Sequence, residues 1–159
     1  MDLEYWKYKK GTLFGSEKLS SQDRLELLKS RPNAIMWWPS STQAEQTLVI
    51  KQDCNLLDHI RNPTSKTRLM AITDCPATVI HLTGNNIATD FEIFTAISRK
   101  PFLIADFTDH FSAKWLALGM LLLKNDVHRR HFNRIDQWDR AIDAVDQWAP
   151  YWKHLLNIK

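Results

Sequence analysis

Residues 47–51, Thr-Leu-Val-Ile-Lys, and residues 78–82, Thr-Val-Ile-His-Leu, are two short runs rich in β-branched side chains. Runs of this length and composition are typical of buried strands. Similar short apolar runs occur at residues 34–38, 68–73 and 102–106. The sequence therefore predicts strands at these five positions, and they decide the expected fold.

Two helices are expected among these strands. The first lies near Asp53–Arg61 and the second at Thr89–Lys100, where Thr89 and Glu92 have the spacing of a capping box. The resulting core order is β-α-β-β-α-β, which is typical of a ferredoxin-like sandwich with helices on one face of the sheet. We therefore expect an α+β fold with a mixed four- to five-stranded sheet, the run at 34–38 adding the fifth strand. A doubly wound sheet is the alternative.

Helices are expected on both sides of this core. Near the N-terminus, Ser20 and Asp23 have the spacing of a helix cap, and Pro32 ends a helix that covers Ser20–Ser30. The length of 159 residues fits one domain. We expect a single domain over 1–159, with an N-terminal extension at 1–33, a sheet-forming core at 34–107 and a helical hairpin at 108–159.

The helical hairpin is predicted from two apolar patterns. His110–His131 is apolar on most sides, and a second helix follows Asn133 after a short link, so the two helices should pack antiparallel. Pro150 is expected to kink or restart the second helix. Spacings of three and four predict that one row of its residues faces the first helix: Ile135, Trp138, Ile142, Val145, Ala149, Trp152 and Leu156.

Composition limits the class of protein. Lys and Arg total 21 against 18 Asp and Glu, a formal charge of +3 that is spread along the chain, whereas nucleic-acid binders concentrate basic residues. The longest apolar run, Trp115–Leu123, is much shorter than the roughly 20 residues of a membrane helix. Cys54 and Cys75 give no disulfide framework and are expected to stay reduced. With an N-terminus that lacks a signal-peptide pattern, this predicts a cytoplasmic protein.

Enzyme signatures are scarce in the sequence. It contains no nucleotide-binding, nucleophile-elbow or zinc-protease motif, so we expect no cofactor, no metal and no catalytic residue, and a non-enzymatic protein is favoured. A hydrolase site built from Cys75, His81 and Asp74 is the least favoured alternative. The pair His128 and His131 has a spacing that a metal could use, but the arginines around it oppose a cation.

Tryptophan is the most unusual feature of the composition. The chain has seven, and three of them lie in its last 22 residues. Trp148 is outside the predicted buried row, and aromatic side chains of this kind anchor interfaces. We therefore predict an accessory or adaptor protein that binds a protein partner, or itself as a homo-oligomer, through an aromatic C-terminal surface of Trp138, Trp148, Tyr151 and Trp152.

The alternative is a nucleic-acid-binding accessory factor. Three arginines and two histidines lie close together between His128 and Arg134, which makes this turn the most basic stretch of the chain. An extended footprint needs a second strip of charge. The predicted nucleic-acid residues are Arg129, Arg130 and Arg134, with Lys7, Lys9 and Lys10.

Overall fold

The protein is helical. A computed structural model describes residues 19–85, 87–123 and 131–157, and these ranges contain helices, turns and loops but no strand. The predicted α+β fold with a four- to five-stranded sheet is therefore wrong. The α-helices are α1 Ser21–Ser30, α2 Gln43–Gln52, α3 Ser65–Asp74, α4 Val79–Gly84, α5 Asp90–Arg99, α6 Leu103–Asp106, α7 Ala113–Leu123 and α8 Ile135–Leu156.

The predicted strands fall in helices for a common reason. A short apolar run is typical of a buried helix segment as much as of a buried strand, so the run alone does not decide between them. Two of the five runs lie in helices that begin with a side-chain cap, α2 and α3. Thr42 accepts the backbone N–H of Glu45, whose carboxylate accepts the Thr42 N–H at 2.7 Å, so a capping box starts α2 just ahead of the first run. Four runs overlap α2, α3, α4 and α6, and residues 34–38 overlap a 3₁₀ helix at Pro32–Trp37.

The expected helix signals agree better with the structure. Ser20 caps α1 by accepting the N–H of Asp23, and Thr89 and Glu92 form the predicted capping box of α5. Residues near Asp53–Arg61 are also helical, as a 3₁₀ helix at Cys54–His59. Polar caps are local features of the sequence, so they can be predicted without knowledge of the packing.

Contacts divide the chain into two compact units, Met1–Cys75 and Pro76–Lys159. In the first unit, the carboxylate of Glu45 is almost fully buried and is held by Arg24. Arg24 Nη2 donates to Glu45 Oε2 at 3.0 Å, and Nε lies 2.7 Å from the other oxygen as an ionic contact. The guanidinium also lies 4.3 Å from the ring centre of buried Trp38. This cluster joins α1, α2 and the 3₁₀ helix at Pro32–Trp37.

The two cysteines are not free, which corrects the expectation of reduced thiols. Cys54 and Cys75 form a disulfide with their Cα atoms 6.0 Å apart. The bond joins the 3₁₀ helix that follows α2 to the residue that caps the end of α3. This pairing could not be predicted from the sequence, because it depends on two helices lying side by side.

The core of the second unit is the pair α7 and α8, with α5 and α6 packed on α7. Gly119 of α7 lies against the buried side chain of Ile104 in α6. A Cβ placed on Gly119 would meet Ile104 Cγ2 at 2.5 Å, which is closer than carbon atoms approach each other. A glycine is therefore what lets α6 lie this close to α7.

None of the helices in the described ranges is both long and apolar enough to cross a membrane.

We expect reduction of the disulfide to lower the free energy of unfolding of the first unit by about 3 kcal/mol, because the bond closes a loop across a separation of 21 residues. Guanidinium unfolding with and without dithiothreitol measures this change. In a Cys54→Ser/Cys75→Ser variant, dithiothreitol should have no further effect. An unchanged midpoint of the parent protein after full reduction would contradict the expectation.

We expect Gly119→Ala to destabilise the second unit by about 1–2 kcal/mol, since the crowding of Ile104 outweighs the better helix propensity of alanine. Gly84→Ala is the matched control, because a Cβ at Gly84 meets no atom within 4 Å. Thermal unfolding by circular dichroism should show a lower midpoint for the first variant only. Equal midpoints for both variants would show that α6 moves freely to make room.

Candidate interaction surfaces of the C-terminal helix

Helix α8 lies antiparallel to α7, as the sequence predicts. Trp152, near the end of α8, donates from Nε1 to the carbonyl oxygen of Lys114 at 2.6 Å, and its ring centre lies 5.4 Å from that of Trp115. Both of these partners are at the start of α7. Of the predicted kink or restart at Pro150, the restart does not occur, because α8 continues through Pro150 to Leu156.

The residues that α8 buries are shifted by one position in sequence from those of the predicted row. Gln137, Ala141 and Ala144 are buried in place of Trp138, Ile142 and Val145. The two alanines have short side chains, which permits close approach of a neighbouring helix. Only Trp152 belongs to both the predicted row and the fully buried residues of α8.

Most of the predicted row consequently forms a partly open surface on α8. Ile135 is 59% exposed and Ile142 is 38% exposed, values that are unusual for isoleucine in a folded domain. Trp138, Val145 and Ala149 are half-buried beside them. We call these five residues, Ile135, Trp138, Ile142, Val145 and Ala149, the outer stripe.

A row of carboxylates borders the outer stripe. Asp136, Asp139, Asp143 and Asp146 are all exposed, and each follows a stripe residue directly in sequence, which places the four on one side of it. Asp136 pairs with Arg134 at 3.0 Å. The other three have no cationic partner among the residues that the structure describes. The outer stripe is thus an apolar surface with an acidic edge.

Trp152 is the centre of an aromatic cluster. It is 2% exposed and lies between Trp115, Phe94 and Tyr151, with ring centres 5.0–6.2 Å apart. The ammonium group of Lys114 lies 4.7 Å from the Trp115 ring centre and 5.7 Å from that of Trp152. A residue this buried supports the fold and has almost no surface to offer a partner.

Beyond Trp152 the cluster reaches the surface. Trp148 is half-buried against Tyr151, with ring centres 5.9 Å apart, and Tyr151 is 46% exposed. Leu155, one turn after Tyr151, is 57% exposed. It was not among the predicted interaction residues, although its spacing of four from Tyr151 is visible in the sequence. We call Trp148, Tyr151 and Leu155 the end patch.

The structure therefore separates the four predicted interaction residues. Trp138 belongs to the outer stripe, Trp148 and Tyr151 belong to the end patch, and Trp152 lies in the core. In one helix, residues separated by whole turns share a face, and the outer stripe and the end patch do not. They are two surfaces on different sides of α8.

The predicted nucleic-acid residues are described in part. Lys7, Lys9, Lys10, Arg129 and Arg130 lie outside the described residues. Arg134 is exposed, and its guanidinium lies 3.0 Å from a carboxylate oxygen of Asp136 and 3.4 Å from one of Asp109. Asp109 also accepts from Arg140 at 2.8 Å and from Gln137 at 3.2 Å. Carboxylates thus surround the charge of Arg134, which reduces its attraction for phosphate.

No group of three or more potential metal ligands occurs within the described ranges. Of the histidine pair with metal-like spacing, His128 lies outside them. The thiol of Cys75 is consumed by its bond to Cys54, so in this state it cannot act as the nucleophile of a Cys/His site.

Comparison with known proteins gives no relative: no protein-family model, no curated protein and no solved structure matches the chain.

We expect Trp152→Ala to destabilise the second unit by about 3–5 kcal/mol, because it removes a buried aromatic ring and the hydrogen bond to Lys114. Tyr151→Ala, the matched control, removes an adjacent exposed ring and should cost much less. Chemical unfolding followed by tryptophan fluorescence and circular dichroism compares the two. Equal losses of stability would show that Trp152 does not carry the packing of α8.

Proposed function

We propose that the protein is a non-enzymatic interaction protein that binds a partner protein through the outer stripe of α8. The observation that supports this is the rotation of α8 about its own axis, which decides which of its side chains are buried. Alanines and Gln137 face inward, while Ile135 and Ile142 stay open to solvent. Large aliphatic side chains in a continuous row on one helix are a typical anchor set for a second helix.

The partner that fits this surface is an amphipathic helix with basic residues along one flank. Its apolar side chains would cover Ile135, Trp138 and Ile142 at the same spacing of three and four residues. Its lysines or arginines would face the acidic edge, where Asp139, Asp143 and Asp146 have no cationic partner among the described residues. Complementary charge of this kind selects the orientation and the identity of a partner more than it adds affinity.

A second copy of the chain is a less suitable occupant of the stripe. In an antiparallel pair of identical α8 helices that meet near the middle, the acidic edges of the two copies would lie side by side, and Asp143 of one copy would lie opposite Asp146 of the other. Like charges in that position oppose the pairing. The charge pattern therefore favours a different protein over self-association.

Nucleic-acid binding through Arg129, Arg130 and Arg134 with Lys7, Lys9 and Lys10 stays a prediction, and so does a Cys/His hydrolase. Neither gains a supporting observation, since Arg134 faces carboxylates and Cys75 is in a disulfide. The cytoplasmic location also stays a prediction. Free thiols no longer support a cytoplasmic location, because the two cysteines form a disulfide and disulfides persist mainly in oxidising compartments.

The direct test uses two synthetic helices of about 20 residues that share one leucine pattern, one with lysines on its flank and the other with glutamates. We expect the lysine peptide to bind more tightly by fluorescence anisotropy. An Ile135→Ser/Ile142→Ser variant should weaken this binding about tenfold or more, because two apolar anchors are lost. Both residues are exposed, so the melting temperature should change little.

The control variant is Tyr151→Ser/Leu155→Ser, which changes an equal number of exposed apolar residues in the end patch. It should bind the lysine peptide like the parent protein. Loss of binding in this control alone would overturn the assignment to the outer stripe and move the site to the end patch. Light scattering provides a second check: an oligomer that the Ile135→Ser/Ile142→Ser change dissociates would identify a second copy as the occupant, against the proposal.

A further inference from the structure

A second surface, in the first unit, has the opposite charge. An open groove of about 720 Å³ lies among α1, α2 and α3, and its lining includes Leu25 of α1 with Ala44 and Leu48 of α2. Leu25 and Leu48 are half-buried, so the groove has an apolar floor that is still accessible to solvent. This groove could not be predicted from the sequence, because two of the three helices that form it, α2 and α3, contain runs that were predicted as strands.

Three lysines border the groove, one from each helix. Lys29 comes from α1, Lys51 from α2 and Lys66 from α3, and all three are exposed. Lys29 pairs with Glu26 at 2.7 Å, whereas Lys51 and Lys66 have no acidic partner among the described residues. Within the described part of the chain, the charges of Lys51 and Lys66 therefore have no acidic partner, and they lie next to apolar surface.

Hydrogen bonds between side chains fix two sides of the groove relative to each other. Gln43 of α2 donates from Nε2 to Thr47 Oγ1 at 3.0 Å and to Thr67 Oγ1 of α3 at 2.9 Å. Thr67 in turn donates to Gln46 of α2 at 2.9 Å, and this contact is buried. Since α2 and α3 are joined in this way, the backbone positions that carry Lys51 and Lys66 are set before a ligand arrives, which lowers the entropy cost of binding.

We propose that this groove binds an acidic amphipathic helix of a partner protein. Apolar side chains on one face of such a helix would contact Leu25 and Leu48, and carboxylates on its flanks would meet Lys29, Lys51 and Lys66. A nucleic-acid backbone would leave the apolar floor uncovered. A small amphiphile is the poorer fit as well, since sites for small molecules enclose most of the ligand surface and this groove is open.

The same pair of peptides tests this proposal with the opposite expectation. In anisotropy titrations at low salt, the glutamate peptide should bind the groove, and a Lys51→Glu/Lys66→Glu variant should lose at least about tenfold in affinity. Raising the salt concentration should weaken the binding, because the lysines are exposed to screening. The Ile135→Ser/Ile142→Ser variant should bind the glutamate peptide like the parent protein, so failure here and failure of the function proposed for α8 are distinguishable.

The matched control is Arg61→Glu/Lys100→Glu, which makes the same change in net charge at exposed positions outside the groove lining. It should leave the affinity for the glutamate peptide unchanged. Equal losses in both variants would overturn the proposal, because they would show an effect of net charge alone. Dodecanoate and a short DNA duplex are tested in parallel, and if either binds through Lys51 and Lys66 while the glutamate peptide does not, the proposed occupant is wrong.

Discussion

Burial of Trp152 is the constraint on which the surface of the second unit depends. Its indole must reach Trp115 and Phe94 while Nε1 meets the carbonyl oxygen of Lys114, and these contacts set the rotation of α8 about its own axis. Once that rotation is set, Ala141 and Ala144 are carried inward and the isoleucines are carried outward. The open apolar stripe thus follows from one buried ring, which is why a change at Trp152 cannot report on binding.

Part of the helix content could be predicted from local signals, whereas the predicted sheet was wrong. Ser20, Thr89 and Glu92 mark helix starts through hydrogen bonds within four residues, and those bonds are present. The run at 47–51 follows a comparable signal, the capping box of Thr42 and Glu45, but its β-branched residues also suit a strand and its burial suits either element. In the structure Val49 and Ile50 are both buried in α2, which is packed against α1 and α3. Burial on several sides outweighed the propensity of the residues.

The candidate sites show a similar division. The apolar spacing of α8 predicts a buried row that starts one residue too late, because the row contains the larger side chains and the structure buries smaller ones. Small side chains are favoured at a close contact between two helices, since Ala141 allows an approach that a side chain as large as that of Ile142 would prevent. The groove at Lys51 and Lys66 could not be predicted from the sequence, because the spacing of residues along one helix does not reveal a surface that three helices share.

The two proposed surfaces differ in the sign of their flanking charge, which bears on which partner each of them would select. Carboxylates border the outer stripe and lysines border the groove, although the whole chain carries a formal charge of only +3. Apolar contact alone would let one amphipathic helix bind either surface. If both proposals hold, Lys51 and Lys66 would repel a basic helix and Asp139 and Asp143 would repel an acidic one, so each surface would disfavour the ligand proposed for the other. The sign of the flanking charge is therefore the feature by which the two proposed surfaces would distinguish their partners.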